Sequence, residues 1–164
     1  MLIRKIETSD IKIVGQLVKE AYSQSPWFKK FSIEESESWI SSDLRRSDFV
    51  GFIIVQSEIV VAASWYIVLS ENEILNQSKG NDVLKFINSI GVKSIFWGRS
   101  LIVHPQFQKK GIGQILRKHI FKQLKQFPQN YFFTIMRLDK DASINGANKL
   151  KYKRTNIVFE TNKI

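Results

Sequence analysis

The residues best suited to chemistry stand together at positions 101 to 113, which read LIVHPQFQKKGIG. An apolar run typical of a strand leads into a short basic loop, and a helical pattern follows from Gly111. The first turn of a helix presents unpaired N–H groups and a partial positive charge, so it attracts anions. Gly111 and Gly113 would let an anion approach the backbone without a Cβ in the way. Lys109 and Lys110 add positive charge, and the segment therefore predicts an anion-binding loop.

Two well-known phosphate-binding loops do not fit this segment. The loop of nucleoside triphosphatases needs a Gly-Lys-Ser/Thr run, and neither Gly111 nor Gly113 is followed by lysine. The dinucleotide-binding fingerprint needs three glycines at a fixed spacing, and the third is missing here.

The segment resembles a third kind of motif. Val103-x-Pro105 followed by Gln108-x-x-Gly111-x-Gly113 resembles the acetyl-CoA motif of the GNAT superfamily of N-acetyltransferases, which reads Gln/Arg-x-x-Gly-x-Gly/Ala after a strand ending in Val-x-Pro. Two long apolar runs are expected to pair as an antiparallel hairpin up to Leu69, and this hairpin is also similar to the second and third strands of that family.

The resemblance implies roles for individual residues. In the family, backbone groups of the strand pair with the pantetheine arm, and loop amides hold the pyrophosphate. The backbone N–H of Ile102 would polarise the thioester carbonyl, because a preorganised donor stabilises a developing oxyanion. On this resemblance the cofactor-binding residues are Leu101, Ile102, Val103, Gln108, Lys109, Lys110, Gly111, Ile112, Gly113 and Asn145.

The sequence departs from the family pattern at two places. Many relatives carry a glutamate base on the strand before the motif, whereas this chain has Arg99, which cannot serve as a base. Arg99 could instead hold an acidic substrate group or cap the sheet edge. Near the C-terminus Ala147 stands where the family's proton-donating tyrosine is expected, and Tyr152 stands where phenylalanine is common. Tyr152 is therefore a weak candidate for the catalytic acid.

The remaining candidates favour structural roles. His104 and His119 are more typical of packed or surface positions than of catalysis, and no spacing of His and carboxylate residues predicts a metal site. Trp27, Phe28 and Phe31 lie where relatives shape the acceptor pocket, although core packing is the favoured role for at least one of them.

These residues must be positioned by a mixed fold. The pattern predicts a single α/β (α+β) domain over residues 1–164, and the resemblance implies a GNAT-like mixed, mostly antiparallel central sheet flanked by helices, with a shortened C-terminal end. Pro26 and Pro128 are expected to end helices, Ser32 with Glu35 to form a capping box for the second helix, and Asp82 to cap a short later helix. The predicted strands span 3–6, 49–55, 59–69, 95–103, 131–138 and 155–160; the predicted helices begin near 11, 33, 82, 111 and 142.

Composition narrows the class of protein. The chain lacks cysteine, which excludes disulfides and a cysteine nucleophile, and no apolar run reaches the ~18 residues of a membrane span. We therefore expect a cytoplasmic protein. A net charge of +10 favours an anionic partner, although codon bias could also produce it. Nucleic acid is a less favoured partner because the basic residues are scattered.

The leading hypothesis is an acetyltransferase that uses acetyl-CoA and an amine acceptor, without a metal, and that could form a homodimer. The alternative is a catalytically silent domain of the same fold that binds acyl-CoA or a protein partner.

Overall fold

The computed structural model describes residues 1–24, 28–127, 131–136, 141–155 and 157, with only the backbone of 141–143. These residues fall into two compact units. The first comprises the described part of Met1–Ile67 and Gly98–Pro128, and the second that of Val68–Trp97 and Gln129–Ile164. The elements are β1 (Leu2–Lys5), α1 (Ile11–Ser23), α2 (Ile33–Leu44), β2 (Val50–Gln56), β3 (Ile59–Leu69), α3 (Glu71–Leu75), α4 (Gly80–Ser89), β4 (Ile95–Val103), α5 (Ile112–Leu124), β5 (Phe132–Thr134) and α6 (Asp141–Asn148).

The strands form a five-stranded sheet in the order β1-β2-β3-β4-β5. The pair β2–β3 is antiparallel, as predicted, and the pair β1–β2 is antiparallel as well. Strands β2 and β3 are joined by Ser57 and Glu58, whose positive φ values of 48° and 65° match the primed turns that suit tight hairpins. The mostly antiparallel mixed sheet predicted from the sequence is confirmed.

Helices α1 and α2 cover one part of the first unit. The predicted capping box at the start of α2 is present, because Ser32 Oγ accepts from Glu35 N at 3.1 Å and Ser32 N donates to Glu35 Oε2 at 2.7 Å. Apolar residues at helical spacing then turn one side of each helix towards the sheet. The buried core cluster of this unit comprises Ile6, Val14, Leu17, Val18, Ile40, Ile53, Val60, Ala63, Trp65 and Ile102.

Helix α5 follows the loop singled out by the sequence. It begins at Ile112, with Gly111 as its N-cap, and ends at Leu124. Ile112, Leu116, Ile120 and Leu124 are buried at helical spacing. His119 packs edge-on against Phe52 of β2 with 4.7 Å between the ring centroids, which agrees with the packing role expected for it.

The second unit contains two corrections. Helix α3 was not predicted, although Ser70 and Glu73 form a capping box before it. Helix α4 begins at Gly80, so the prediction that Asp82 is its N-terminal cap is wrong; Lys79, at a φ of 59°, takes that position. Asp82 lies instead in the first turn, where its charge favours the helix dipole.

The C-terminal elements are shorter than expected. Strand β5 covers Phe132–Thr134, whereas the prediction extended from Tyr131 to residue 138. From the stacked rings of Phe96 and Phe132 to those of Trp97 and Phe133, the residue number rises by one on both β4 and β5. This indicates that the two strands pair in parallel. The proposed helix ends at 26 and 128, the end of the predicted strand at 137–138, and most of the predicted strand at 155–160 lie outside the described residues.

Candidate functional site

The strand that leads into the loop is held firmly on one side. His104 N donates to Val61 O at 2.8 Å, so β4 stays joined to β3 at its very end. Ile102 is buried, and Leu101 and Val103 are half-buried. Strand β5, in the second unit, is three residues long and lies beside Phe96.

The loop itself folds back onto this strand. Gln108 Nε2 donates to Val103 O at 3.1 Å, which ties the centre of the loop to the strand end. Lys110 Nζ lies 5.2 Å from the centroid of the Phe107 ring, a cation–π distance. The resemblance implies that Gln108 binds the cofactor through its backbone amide. In the structure its side chain holds the loop against the end of β4.

The N-terminus of α5 presents a row of unused donors. The amides of residues 109–113 make no hydrogen bond to any other described residue, and Gly111 caps the helix without a side-chain acceptor. Lys109, Lys110 and Gly111 are exposed. Helix geometry leaves the first amides without intrahelical partners, and their partial positive charge favours an anion.

The two glycines keep this surface open. Gly111 has a φ of +79°, which only glycine adopts without strain, and no atom lies within 4 Å of where its Cβ would stand. A Cβ at Gly113 would meet only Val103 Cγ2, at 3.4 Å. The donors, the positive charge and the open space lie together in an arrangement that suits a pyrophosphate, and the cofactor role of these loop residues stays a prediction.

Upstream of this surface, β4 carries a charged group held by helix α2. Arg99 Nε donates to Asp43 Oδ2 at 2.8 Å, and the same oxygen accepts from Trp65 Nε1 at 2.9 Å. The guanidinium carbon of Arg99 lies 5.8 Å from the ring centroid of Trp39. Asp43 and Trp65 are buried, whereas the Arg99 side chain is 27% exposed. Sequence reasoning singled out Arg99 but missed Asp43, which lies 56 residues away.

Next to Arg99, a tyrosine of α1 reaches the same strand. The Tyr22 hydroxyl lies 3.4 Å from Ser100 Oγ, and Ser64 Oγ donates to Ser100 O at 2.7 Å. Burial raises the pKa of Tyr22, although the Ser100 hydrogen bond and the positive charge of Arg99 oppose the shift. Tyr22 therefore stays protonated at neutral pH. Sequence analysis did not single out Tyr22, and its spacing four residues after Val18 is the one local signal that could have indicated its burial.

Aromatic rings complete the surroundings of Arg99. Phe31 packs edge-on against Tyr22 at 5.6 Å and stacks on Trp39 at 6.1 Å between centroids. Phe28 is 70% exposed, so it does not share this packing. Trp27, the third aromatic residue predicted near the acceptor pocket, lies outside the described residues.

His104 has both ring nitrogens engaged. Its Nδ1 accepts from Gln106 N at 3.3 Å, and its Nε2 lies 3.4 Å from Glu20 Oε2. Accepting at Nδ1 requires the proton on Nε2 in the neutral ring, so His104 has no free lone pair for a base. This agrees with the structural role predicted for it. His104, Glu20 and Pro105 help to line a surface cleft of about 340 Å³.

Two predicted site residues belong to the second unit. Asn145 is exposed on α6, and Tyr152 follows that helix, half-buried, with its N–H donating to Ala147 O at 3.2 Å. Their assignments to the cofactor and to proton transfer stay predictions. Among the described residues, no three His, Asp or Glu side chains are grouped to bind a metal ion. Within the same part of the chain, no helix is long and apolar enough to cross a membrane.

Solved structures show which class of fold this is. An aminoglycoside 6'-N-acetyltransferase from Acinetobacter haemolyticus superposes with a TM-score of 0.70 at 16% identity, covering 100% of this chain and 99% of that one. An aminoglycoside N-acetyltransferase in complex with CoA gives 0.71 at 11% identity, covering 99% and 95%. An aminoglycoside acetyltransferase from an uncultured soil metagenomic sample, in complex with sisomicin, gives 0.70 at 18% identity over the same shares.

The chain therefore shares the fold of these acetyltransferases, and the fold class predicted from the sequence is confirmed. No family model matches the sequence, and no curated protein matches it. At these identities the structural likeness establishes the fold, and the activity has to be argued from the residues themselves.

Proposed function

We propose that this protein is an N-acetyltransferase that moves the acetyl group of acetyl-CoA to an amine of a small molecule or protein. The observation that carries the proposal is the row of unpaired amides at residues 109–113, beside two lysines and an open left-handed glycine. A structural neighbour in complex with CoA supports a cofactor of this chemistry.

Binding would use the backbone more than the side chains. The amides of the loop and the first turn of α5 would hold the pyrophosphate, with Lys109 and Lys110 close by. Leu101, Ile102 and Val103, at the end of β4, would pair with the pantetheine arm through their backbone groups. Gln108 would keep the loop in place through its bond to Val103 O.

The chemistry is a direct attack of the amine on the thioester carbonyl carbon. As the C–N bond forms, the carbonyl oxygen gains negative charge, which the Ile102 N–H would stabilise. The C–S bond then breaks, the thiolate leaves, and the amine nitrogen loses a proton. Asp43 is not placed as the base, because its Oδ2 already accepts from Arg99 and Trp65. The acceptor would enter as the neutral amine from its own equilibrium, and Tyr152 stays our candidate donor to the thiolate.

The first test reverses the charge of the loop. In the double variant Lys109→Glu/Lys110→Glu we expect the Kd for acetyl-CoA to rise about 10- to 100-fold, because charge-assisted contacts to phosphate are lost. Acidic residues at a helix N-terminus favour the helix, so the fold should not weaken. Isothermal titration calorimetry measures the affinity, and urea unfolding measures the stability.

The matched control is Lys12→Glu/Lys122→Glu, which changes net charge equally at two exposed positions on α1 and α5. Lys122 lies about 15 Å along α5 from its start, so we expect the Kd to stay within about threefold of the parent. Equal weakening in both double variants would contradict the loop assignment. If the protein binds acetyl-CoA tightly but releases no CoA thiol in the presence of any amine, the alternative of a catalytically silent acyl-CoA-binding domain would instead be favoured.

A further inference from the structure

Two contacts fix the position of the Arg99 guanidinium. Asp43 accepts from its Nε at 2.8 Å, and the ring of Trp39 lies 5.8 Å from its central carbon. Trp65 donates to the same Asp43 oxygen from the buried core, so the carboxylate is itself fixed. The guanidinium is therefore already oriented, and less side-chain rotamer freedom remains to be lost on binding.

Most of the donors of Arg99 remain available. A guanidinium carries five N–H donors, and the Asp43 contact uses the one on Nε. The four donors on Nη1 and Nη2 make no hydrogen bond to another side chain or carbonyl that the structure describes. With 27% of the side chain exposed, these donors can be reached from solvent.

The surroundings of these donors suit a small organic molecule. Tyr22, Phe31 and Trp39 form a packed aromatic cluster beside Arg99, with ring centroids 5.6 to 6.1 Å apart. Arg99 also lies three residues before Ile102 on β4, a separation of about 10 Å along a strand. The aromatic cluster and Arg99 are thus within the reach of a small acceptor whose amine lies near Ile102.

We propose that Arg99 selects acceptor amines that carry a carboxylate, which its Nη1 and Nη2 donors bind as a bidentate pair. This inference rests on the proposed acetyltransferase function and names its substrate class. Planar guanidinium and planar carboxylate match in geometry, and two parallel charge-assisted hydrogen bonds add both affinity and orientation. Asp43 is the positioning residue that turns the donors outward.

The same geometry selects against polycationic acceptors. An amine with several ammonium groups and no carboxylate would leave the Nη donors unpaired and bring like charge next to the guanidinium. The chain also carries a net charge of +10, which repels such molecules at longer range. Its acceptor class would therefore differ from that of the structural neighbour that is in complex with sisomicin.

The test compares amines that differ only by the carboxylate. The pairs are β-alanine with ethylamine, 4-aminobutyrate with propylamine, 6-aminohexanoate with pentylamine, and phenylalanine with 2-phenylethylamine. Binding is measured without acetyl-CoA, by quenching of tryptophan fluorescence, because Trp39 and Trp65 flank the site. In the parent we expect the carboxylate member of at least one pair to bind tenfold or more tightly.

Variants assign that preference to Arg99. We expect Arg99→Lys, which keeps the charge but loses the paired donors, and Arg99→Gln to reduce the preference to about threefold or less. Arg45→Gln is the control, because Arg45 is exposed at the end of α2 and should retain the full preference. Circular dichroism checks folding; if Arg99→Gln does not fold, Arg99→Lys still decides, since it leaves a cation beside Asp43.

Two results would overturn this inference: no preference for any carboxylate member in the parent, or a preference that survives in the folded Arg99 variants. A parallel titration with acetyl-CoA keeps the proposed function separate. If the parent did not bind acetyl-CoA, the proposed function would be refuted, whereas the carboxylate preference is measured in the separate titration with the amines. Unchanged acetyl-CoA affinity in the Arg99 variants would confirm that the two sites act independently.

Discussion

Gly111 and Gly113 stand two residues apart but have different backbone environments. Gly111 adopts a φ of +79°, whereas Gly113 lies inside α5, where any residue fits the backbone. Only the first position therefore requires glycine for conformational reasons, and the second tolerates a methyl group in contact with Val103. The sequence motif does not show this difference, because both of its positions are glycine.

This difference predicts opposite effects on stability. We expect Gly111→Ala to lower the free energy of unfolding by about 1–2 kcal/mol, since alanine is disfavoured both in the left-handed region and as an N-cap. Gly113→Ala should raise it by about 0.5 kcal/mol, because alanine restricts the unfolded chain at a compatible position. Urea unfolding of the two variants beside the parent measures both. Equal destabilisation would show that Gly113 also needs its missing side chain.

The residues of the site fall into two groups, according to how far away in the sequence their contact partners lie. The loop residues could be predicted because Gln108, Gly111 and the strand before them are neighbours in sequence. The partners of Arg99 could not, because Asp43 and Trp39 come from α2, more than fifty residues earlier. Ser100 and Tyr22 are 78 residues apart. No local pattern encodes such contacts, which arise only when the helices dock on the sheet.

At the scale of elements, the start of α1 is fixed by an ion pair with β1. Arg4 Nη1 and Nη2 donate to the two carboxylate oxygens of Asp10 at 2.6 and 2.7 Å, and Glu7 N donates to the same carboxylate at 2.8 Å. Asp10 is buried, whereas Arg4 is partly exposed. The hydrogen bond from Arg4 lowers the pKa of Asp10 and outweighs burial, which raises it; the hydrogen bond from Glu7 N and the charge of Arg4 lower it further.

The sign of the pH dependence follows from that shift. Because the pKa of Asp10 is lower in the folded state, its contribution is present above the unfolded pKa of about 3.9 and is lost as pH falls through the folded value. We expect Asp10→Asn to lower the free energy of unfolding by about 1–2 kcal/mol at pH 7, allowing for the partial exposure of Arg4. The difference from the parent should shrink below about pH 4.

Urea unfolding at pH 7, 5, 4 and 3 measures this difference. Asparagine keeps the shape of Asp10 and can still accept from Glu7 N, so the comparison isolates the charge. Asp82→Asn, at an exposed position in the first turn of α4, is the matched control and should change stability by no more than about 0.5 kcal/mol. A deficit in Asp10→Asn that stayed constant down to pH 3 would contradict the ion-pair explanation.

Element boundaries show where local signals were sufficient. The capping box at Ser32 predicted α2 correctly, and the equivalent signal at Ser70 preceded the unpredicted α3. Helix α4 starts at Gly80 because Lys79 turns into the left-handed region, a conformation that lysine rarely adopts and that sequence patterns therefore do not indicate. The hairpin turn at Ser57–Glu58 lacks asparagine and glycine, yet the long apolar runs on each side were enough to predict it.

At the scale of the whole chain, the fold depends on pattern more than on identity. Structures only 11% to 18% identical superpose with TM-scores near 0.70 over almost the full chain. What such chains can share at this identity is the order of apolar strands, amphipathic helices and one glycine loop. This is why the fold could be predicted from the sequence, while the acceptor had to be argued from the particular contacts of Arg99.

The net charge of +10 is also a property of the whole chain, and it has a kinetic consequence. Long-range attraction speeds the association of an anionic cofactor, and salt screens it, because the Debye length falls from about 10 Å at 0.1 M to about 3 Å at 1 M. We expect the association rate constant of acetyl-CoA to fall about tenfold between ~0.02 and ~0.5 M salt, with a smaller change in dissociation. Stopped-flow tryptophan fluorescence measures both rates.

The two lysine double variants separate the charge of the whole chain from that of the loop. Lys12→Glu/Lys122→Glu should slow association at low salt while leaving dissociation unchanged, because it reduces the long-range field without touching the amides of residues 109–113. Lys109→Glu/Lys110→Glu should slow association and also speed dissociation, since it removes charge in contact with the pyrophosphate. If association were insensitive to salt in the parent, the net charge would have no part in cofactor capture, and the affinity would reside in the loop alone.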